Sequence, residues 1–145
     1  MLEIKLKRLS TNAVIPQNMT THASGYDIYS SNQNDIILKA GKVKLIPTGI
    51  AISIPPGYEA QIRPRSGLAI KHQIGILNAP GTIDSDYRGE IKVILFNFGD
   101  KDYVIKPQSR IAQMVIAKIE KVGFSQVKEL DKTERNAGGF GSTKI

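Results

Sequence analysis

The stretch Ile36-Ile37-Leu38-Lys39-Ala40-Gly41-Lys42-Val43-Lys44-Leu45-Ile46-Pro47-Thr48-Gly49-Ile50-Ala51-Ile52-Ser53-Ile54-Pro55-Pro56-Gly57 decides the fold class. Its apolar runs are short and end at turn residues. Residues 36–38 and 43–46 flank Lys39-Ala40-Gly41-Lys42, which predicts a short hairpin connection. Ile50, Ile52 and Ile54 then alternate with smaller residues until Pro55-Pro56-Gly57 stops the strand. The same signal recurs outward along the chain. Leu2, Ile4 and Leu6 alternate with Glu3, Lys5 and Lys7, a half-buried opening strand. Residues 58–62, 91–96, 103–105 and 111–119 are further extended candidates, each bounded by Gly, Pro, Asn or Asp. Frequent short strands of this kind predict an all-β fold, a jelly roll or related barrel. One helix is expected, about two turns over residues 66–72 with Ser66 as N-cap.

The 145 residues contain no internal repeat and no splitting linker, so a single domain over 1–145 is expected. From about residue 124 the composition turns charged and then glycine-rich around one aromatic, Gly138-Gly139-Phe140-Gly141-Ser142. Glycines let backbone N–H groups approach an anion and a phenyl ring can cover a flat one, so 124–145 is expected to be a flexible arm that closes a site. The chain has no cysteine, which excludes disulfides and thiol chemistry. It also lacks a signal-peptide-like start and any run near the roughly 20 apolar residues that span a bilayer, so a cytoplasmic location without membrane contact is expected. The charge of +7 arises from 20 Lys and Arg against 13 Asp and Glu. It suits a polyanionic ligand, but the lysines are scattered rather than gathered into a nucleic-acid footprint.

The residues with chemical potential are concentrated. Asn78-Ala79-Pro80-Gly81-Thr82-Ile83-Asp84-Ser85-Asp86-Tyr87-Arg88-Gly89-Glu90 combines turn residues, carboxylates, an aromatic and an arginine. Pro80-Gly81 between apolar segments reads as a hairpin suited to a flat polar ligand. If residues 84–86 are extended, the Asp84 and Asp86 carboxylates share a face and require a compensating cation, proton or arginine. Arg63-Pro64-Arg65-Ser66-Gly67 sets two guanidiniums, a hydroxyl and a glycine at a helix start, suited to phosphate. Asp27 follows Gly25-Tyr26, and Gln113 is a polar residue inside an apolar strand. His22 and His72 lack metal-ligand spacing, and there is no Walker loop, dinucleotide fingerprint or hydrolase elbow. Together these residues suit hydrolysis of a nucleotide phosphate.

At these positions the chain resembles the trimeric dUTPase family. The resemblance rests on five ordered motifs over nearly its whole length. They are Ala23-Ser24-Gly25-Tyr26-Asp27-Ile28, Arg63-Pro64-Arg65-Ser66-Gly67-Leu68-Ala69, the segment 81–90, Arg110-Ile111-Ala112-Gln113-Met114, and Arg135-Asn136-Ala137-Gly138-Gly139-Phe140-Gly141-Ser142-Thr143. The resemblance implies a jelly-roll homotrimer with active sites at subunit interfaces, and no stable nucleic-acid complex. It implies Mg²⁺-assisted hydrolysis of dUTP to dUMP and pyrophosphate, which keeps uracil out of DNA and supplies dUMP for dTMP synthesis. Asp84 would activate the water attacking the α-phosphorus. Asn78, with backbone at Gly81, Thr82 and Ile83, would read uracil, and Tyr87 would exclude a ribose 2′-hydroxyl. Arg65, Ser66, Gly67 and Gln113 would hold phosphates. Asp27 would act through a metal-bound water, and Arg135, Phe140, Gly141 and Ser142 would close over the substrate.

Two departures carry physical content. Asn136 stands where many relatives have glycine, and asparagine tolerates positive φ. Pro80 removes one donor from the hairpin, so it must sit where the base needs no N–H. The alternatives are a dCTP deaminase-like enzyme, expected to carry a glutamate base, and an inactive nucleic-acid-binding or regulatory protein on the same fold.

Overall fold

The structure, a computed structural model, describes residues 2–139. Among the described residues, eleven short strands and one helix follow one another. They are β1 (Lys5–Arg8), β2 (Tyr26–Tyr29), β3 (Ile36–Leu38), β4 (Val43–Pro47), β5 (Ile50–Ser53), β6 (Tyr58–Arg63), α1 (Ser66–His72), β7 (Ile74–Ile76), β8 (Gly81–Ile83), β9 (Lys92–Asn97), β10 (Tyr103–Ile105) and β11 (Arg110–Lys118). They form antiparallel sheets ordered β2-β11-β6-β8, β4-β9-β7, β1-β5 and β10-β3. This is the all-β, jelly-roll-like architecture expected, with one short helix among the described residues.

The core is rich in isoleucine. Ile28, Ile46, Ile50, Ile74, Ile91, Ile105 and Ile111, with Leu38 and Leu95, are at most 2% exposed. Each such side chain contributes about 1.5–3 kcal/mol on burial, which explains how a chain without cross-links holds this many short strands. β-branched side chains also suit the pleated surface.

Local pairing departs from the expectations at four places. β3 and β4 do not form a hairpin: β3 pairs with β10 and β4 with β9. Gly41, at φ +67, turns the chain from one sheet into the other. Nor do β7 and β8 pair across Pro80-Gly81. β7 joins β9 and β8 joins β6, with a cis Ala79–Pro80 peptide at the crossing. The opening strand begins at Lys5 rather than Leu2. Finally, Ser66 does not cap α1. Arg65 is the N-cap, in extended backbone and without a side-chain cap, and Ser66 is the first helical residue.

Candidate active site

The central sheet organises the chemistry. β8 lies at its edge, paired on one side to β6 through Ile62↔Gly81, Gln61↔Thr82 and Ala60↔Ile83. Among the described residues no strand pairs with its other side, so that edge presents backbone donors and acceptors. Beyond it a recess of about 380 Å³ is lined by Leu45, Thr82, Ile83, Asp84, Tyr87, Glu90 and Lys92. Asp84 and Tyr87 thus line one recess. Asp86 is exposed and outside the lining, which separates the two carboxylates.

Residues 84–87 form a turn rather than an extended strand, with the Tyr87 N–H donating to the Asp84 carbonyl at 3.2 Å. The shared carboxylate face therefore does not form, and no compensating cation is needed there. Two charges in this stretch have local structural tasks that the sequence did not disclose. Arg88 Nη1 donates to the carbonyls of Ser85 and Tyr87, at 2.7 and 2.9 Å. Glu90 Oε1 accepts from the Gly49 N–H at 2.9 Å and its other oxygen lies 3.5 Å from Lys92 Nζ. Among the described residues the Asp84 carboxylate has no ion-pair or hydrogen-bond partner, leaving its lone pairs available.

Tyr87 is held by its own strand return. Its hydroxyl donates to the Glu90 carbonyl at 3.0 Å, and the ring lies over Gly89, where any Cβ would overlap the phenol. Asn78 is outside the recess lining; its amide nitrogen lies 3.3 Å from where a Cβ on Gly81 would stand.

A second cluster sits at the opposite end of the sheet. Arg65 Nε donates to Asp27 Oδ1 and Arg110 Nη1 to Asp27 Oδ2, each at 3.0 Å. Gln113, opposite Asp27 on one side and Arg63 on the other, donates through Nε2 to the Pro64 carbonyl at 2.8 Å. Gly25 leaves room for the Gln113 amide, since a Cβ there would strike Oε1. The Ser66 and Gly67 amides, first in the helix, have no intrahelical acceptor by geometry. With Arg65 as the cap, the Ser66 hydroxyl has no capping duty. A Cβ on Gly67 would meet nothing within 4 Å, so this chain's own packing does not require glycine there. Burial raises the Tyr103 phenol above its ordinary value, with the Arg65 guanidinium acting in the opposite direction.

The two clusters are far apart in one chain. By extension of the β6–β8 register, Asp84 falls opposite Glu59, whereas Gln113 falls opposite Arg63 and one strand further over. Four residues along a strand and two strand spacings across give roughly 15 Å or more.

The segment expected to form the arm follows β11. Residues 119–137 are exposed without helix or strand, and carry Val122, Phe124, Val127 and Leu130 at 57–99% exposure. Asn136 has φ 40, the positive value anticipated for it. Around it Arg135 Nε donates to the Gly138 carbonyl at 2.7 Å, and Thr133 and Asn136 bond reciprocally. Phe140, Gly141 and Ser142 lie outside the described residues.

Among the described residues no three His, Cys, Asp or Glu side chains converge to hold a metal. Asp27 offers one carboxylate, each oxygen already accepting one guanidinium and retaining capacity for a water. That donor set fits Mg²⁺ carried on substrate phosphates and touching protein through water, not an all-protein cage.

An unpaired strand edge, an available carboxylate and a remote guanidinium cluster suit proteins that handle nucleoside phosphates. The dUTPase family model matches residues 11–144, and the chain belongs to the dUTPase family. It is 50% identical over 142 residues to the deoxyuridine 5′-triphosphate nucleotidohydrolase of Syntrophotalea carbinolica, covering 98% of this chain and 97% of that one. Identity to the Rickettsia typhi protein of the same name is 53% over 145 residues, covering 99% and 98%. Among solved structures, Staphylococcus bacteriophage 80alpha dUTPase with dUPNHPP aligns at a TM-score of 0.88 and 29% identity, covering 99% of both chains. A mutant dUTPase from phage phi11 of S. aureus, described for coordination of a structural Mg(II) ion, aligns at 0.81 and 26%, covering 90% of this chain and 99% of that one.

Proposed function

We propose that this chain is a dUTP diphosphatase, hydrolysing dUTP to dUMP and pyrophosphate in sites that two clusters from different copies complete. The observation that carries it is the available Asp84 carboxylate beside Tyr87 and the unpaired β8 edge, in a chain about half identical to curated deoxyuridine triphosphate nucleotidohydrolases over nearly its full length.

Each group has a task set by its chemistry. The β8 edge, with Asn78 beside Gly81, offers donors and acceptors to the uracil edge. A base with the donor pattern of cytosine would leave buried partners unmatched, a penalty on the order of 10⁴-fold where a site depends on such bonds. Tyr87 packs against the deoxyribose. Asp84 accepts a proton from the water attacking the α-phosphorus, and its exposure keeps it within reach of solvent. Arg65, the Ser66 hydroxyl, the Ser66 and Gly67 amides and Gln113 bind phosphate oxygens and stabilise charge as the bond to the leaving pyrophosphate breaks. When bound, Mg²⁺ would neutralise phosphate charge, with Asp27 contacting it through water. Arg135 and the residues that follow close the site.

A water at the α-phosphorus and the groups on the adjacent phosphates must meet within a few ångströms, about one hydrogen-bond length each. The wide intrachain separation of Asp84 and Gln113 supports a site shared between copies, and a homotrimer provides it. Exposed apolar surface supports the same assembly. Val43, Leu45, Leu77 and Phe98 lie open on the outer face of the β4-β9-β7 sheet, and Leu45 also lines the Asp84 recess. No helix among the described residues is long and apolar enough to cross a membrane. We place the enzyme in the cytoplasm, where DNA precursors are made.

The discriminating experiment incubates the protein with each deoxynucleoside triphosphate and Mg²⁺ while following pyrophosphate and ammonia. Pyrophosphate from dUTP alone is expected. Ammonia from dCTP would point to the deaminase, and silence with dUTP would favour a regulatory protein on this fold.

A further inference from the structure

β11 carries an irregularity that none of the assigned roles explains. It runs against β2 with Gln113 opposite Asp27 and Ala112 opposite Ile28, yet Arg110 falls opposite Tyr29. Ile111 is therefore an inserted residue, a β-bulge. In an unbroken strand Arg110, three positions from Gln113, would face away from Asp27. The bulge reverses that parity. Ile111 and Ala112 are consecutive yet both buried, at 2% and 0%, and Arg110 emerges on the Asp27 side.

There the bonds form a closed circuit. Arg110 Nη1 donates to Asp27 Oδ2, Asp27 Oδ1 accepts Arg65 Nε, and Arg65 Nη1 donates to Arg110's own carbonyl at 3.2 Å. Asp27 is also anchored through its backbone, whose N–H donates to the Gln17 carbonyl at 2.7 Å. The carboxylate side chain is 11% exposed, whereas those of Arg65 and Arg110 are 24% and 42% exposed. The negative group thus lies behind two positive ones. Two guanidiniums against one carboxylate leave one uncompensated positive charge facing outward, together with N–H groups the circuit does not use.

We propose that Arg110 is a positioning residue for the phosphate site. Through Asp27 and through its own carbonyl it fixes the guanidinium plane of Arg65 before substrate arrives. The bulge at Ile111 is the device that brings it there. Fixing a planar donor in advance removes the cost of ordering it on binding, so the benefit falls on contacts to phosphate and not on those to base or sugar. The inference rests on the assignment of Arg65 to phosphate made above.

The test compares wild type with Arg110→Gln, Arg110→Lys, Asp27→Asn and the Arg110→Gln/Asp27→Asn double variant. Calorimetry with Mg²⁺ present measures binding of a non-hydrolysable imido analogue of dUTP, of deoxyuridine and of inorganic tripolyphosphate. In Arg110→Gln the analogue and tripolyphosphate should each weaken about tenfold while deoxyuridine changes by less than about twofold, and KM should rise more than kcat falls. Lysine at 110 should recover most of the loss, because a cation at Asp27 Oδ2 is what is needed. The double variant should bind no more weakly than Asp27→Asn alone, since both act through one carboxylate. Wild-type binding by Arg110→Gln, an equal loss for deoxyuridine and the analogue, or additive losses in the double variant would each overturn the proposal. Should Asp27→Asn not fold, the Gln and Lys variants at 110 still decide it. Wild-type turnover of dUTP, measured in parallel, tests the proposed function separately. Its absence alongside a tripolyphosphate defect in Arg110→Gln would sink that function and leave the positioning role standing.

Discussion

Gly89→Ala should harm recognition while leaving the fold nearly untouched. A Cβ at residue 89 would overlap the Tyr87 hydroxyl and Cζ and would stand 3.0 Å from Cε2, so the ring must swing away. Two stability terms then oppose one another. The swing breaks the exposed Tyr87–Glu90 hydrogen bond, worth about 0.5–1.5 kcal/mol. Gly89 lies outside the left-handed region, so alanine costs no backbone strain and restricts the unfolded chain, a gain of about 0.4–1 kcal/mol. The net change is within about 1 kcal/mol, a Tm shift of no more than about 4 °C for a chain of this length. Displacing an aromatic ring from a sugar face removes about 1–2 kcal/mol of contact, so kcat/KM for dUTP should fall roughly 5- to 30-fold. Discrimination against UTP should shrink with it, because the ring that crowds the 2′ position has moved. Thermal unfolding and pyrophosphate release with both nucleotides measure these quantities. Unchanged kcat/KM and unchanged discrimination would refute the role of Tyr87. A large loss of Tm would instead mean that the ring on Gly89 is a packing element.

Two further substitutions and one truncation separate chemistry from binding and from stability. Asp84→Asn should bind the imido analogue within about threefold of wild type yet lose about 10³-fold in kcat, as expected for a general base; near-normal turnover would remove Asp84 from that role. A chain ending before Arg135 should keep the melting temperature and assembly of the full chain, because residues 119–137 are exposed, but hydrolyse dUTP very slowly. Full activity in that truncate would deny the arm a part in catalysis. Burial raises the Tyr103 phenol, so its neutral form is favoured in the folded state. Its contribution is present below about pH 10, the unfolded value, and is lost as pH rises through the higher folded value. The melting temperature of wild type should therefore fall more steeply above pH 10 than that of Tyr103→Phe, and parallel curves would count against the shift.

Strand positions were legible because each strand is short, apolar and bounded by residues that end pairing. Pairing partners were not. Lys39-Ala40-Gly41-Lys42 has hairpin chemistry, yet β3 and β4 enter different sheets because their apolar faces are completed by β10 and β9, whose partner residues lie 45 to 69 positions further on. The Pro80-Gly81 turn fails for the same reason. In the site, Asp84 and Tyr87 could be named as residues, but their separation from Arg65 and Gln113 depends on long-range register. Arg88 and Glu90 looked functional and proved to be turn and loop anchors, since charge in a sequence does not reveal whether a backbone group will absorb it. The Ile111 bulge left only a faint trace, two consecutive buried positions where alternation would expose one.

The most direct test is to mix two inactive chains. Asp84→Asn and Arg65→Gln variants, each retaining an intact arm, are refolded together one to one and assayed for dUTP hydrolysis. If every site takes its carboxylate from one copy and its phosphate cluster from another, random assembly gives about a quarter of the sites both wild-type residues. About a quarter of wild-type specific activity should therefore return. Activity no higher than that of the two variants refolded separately would contradict a site shared between copies.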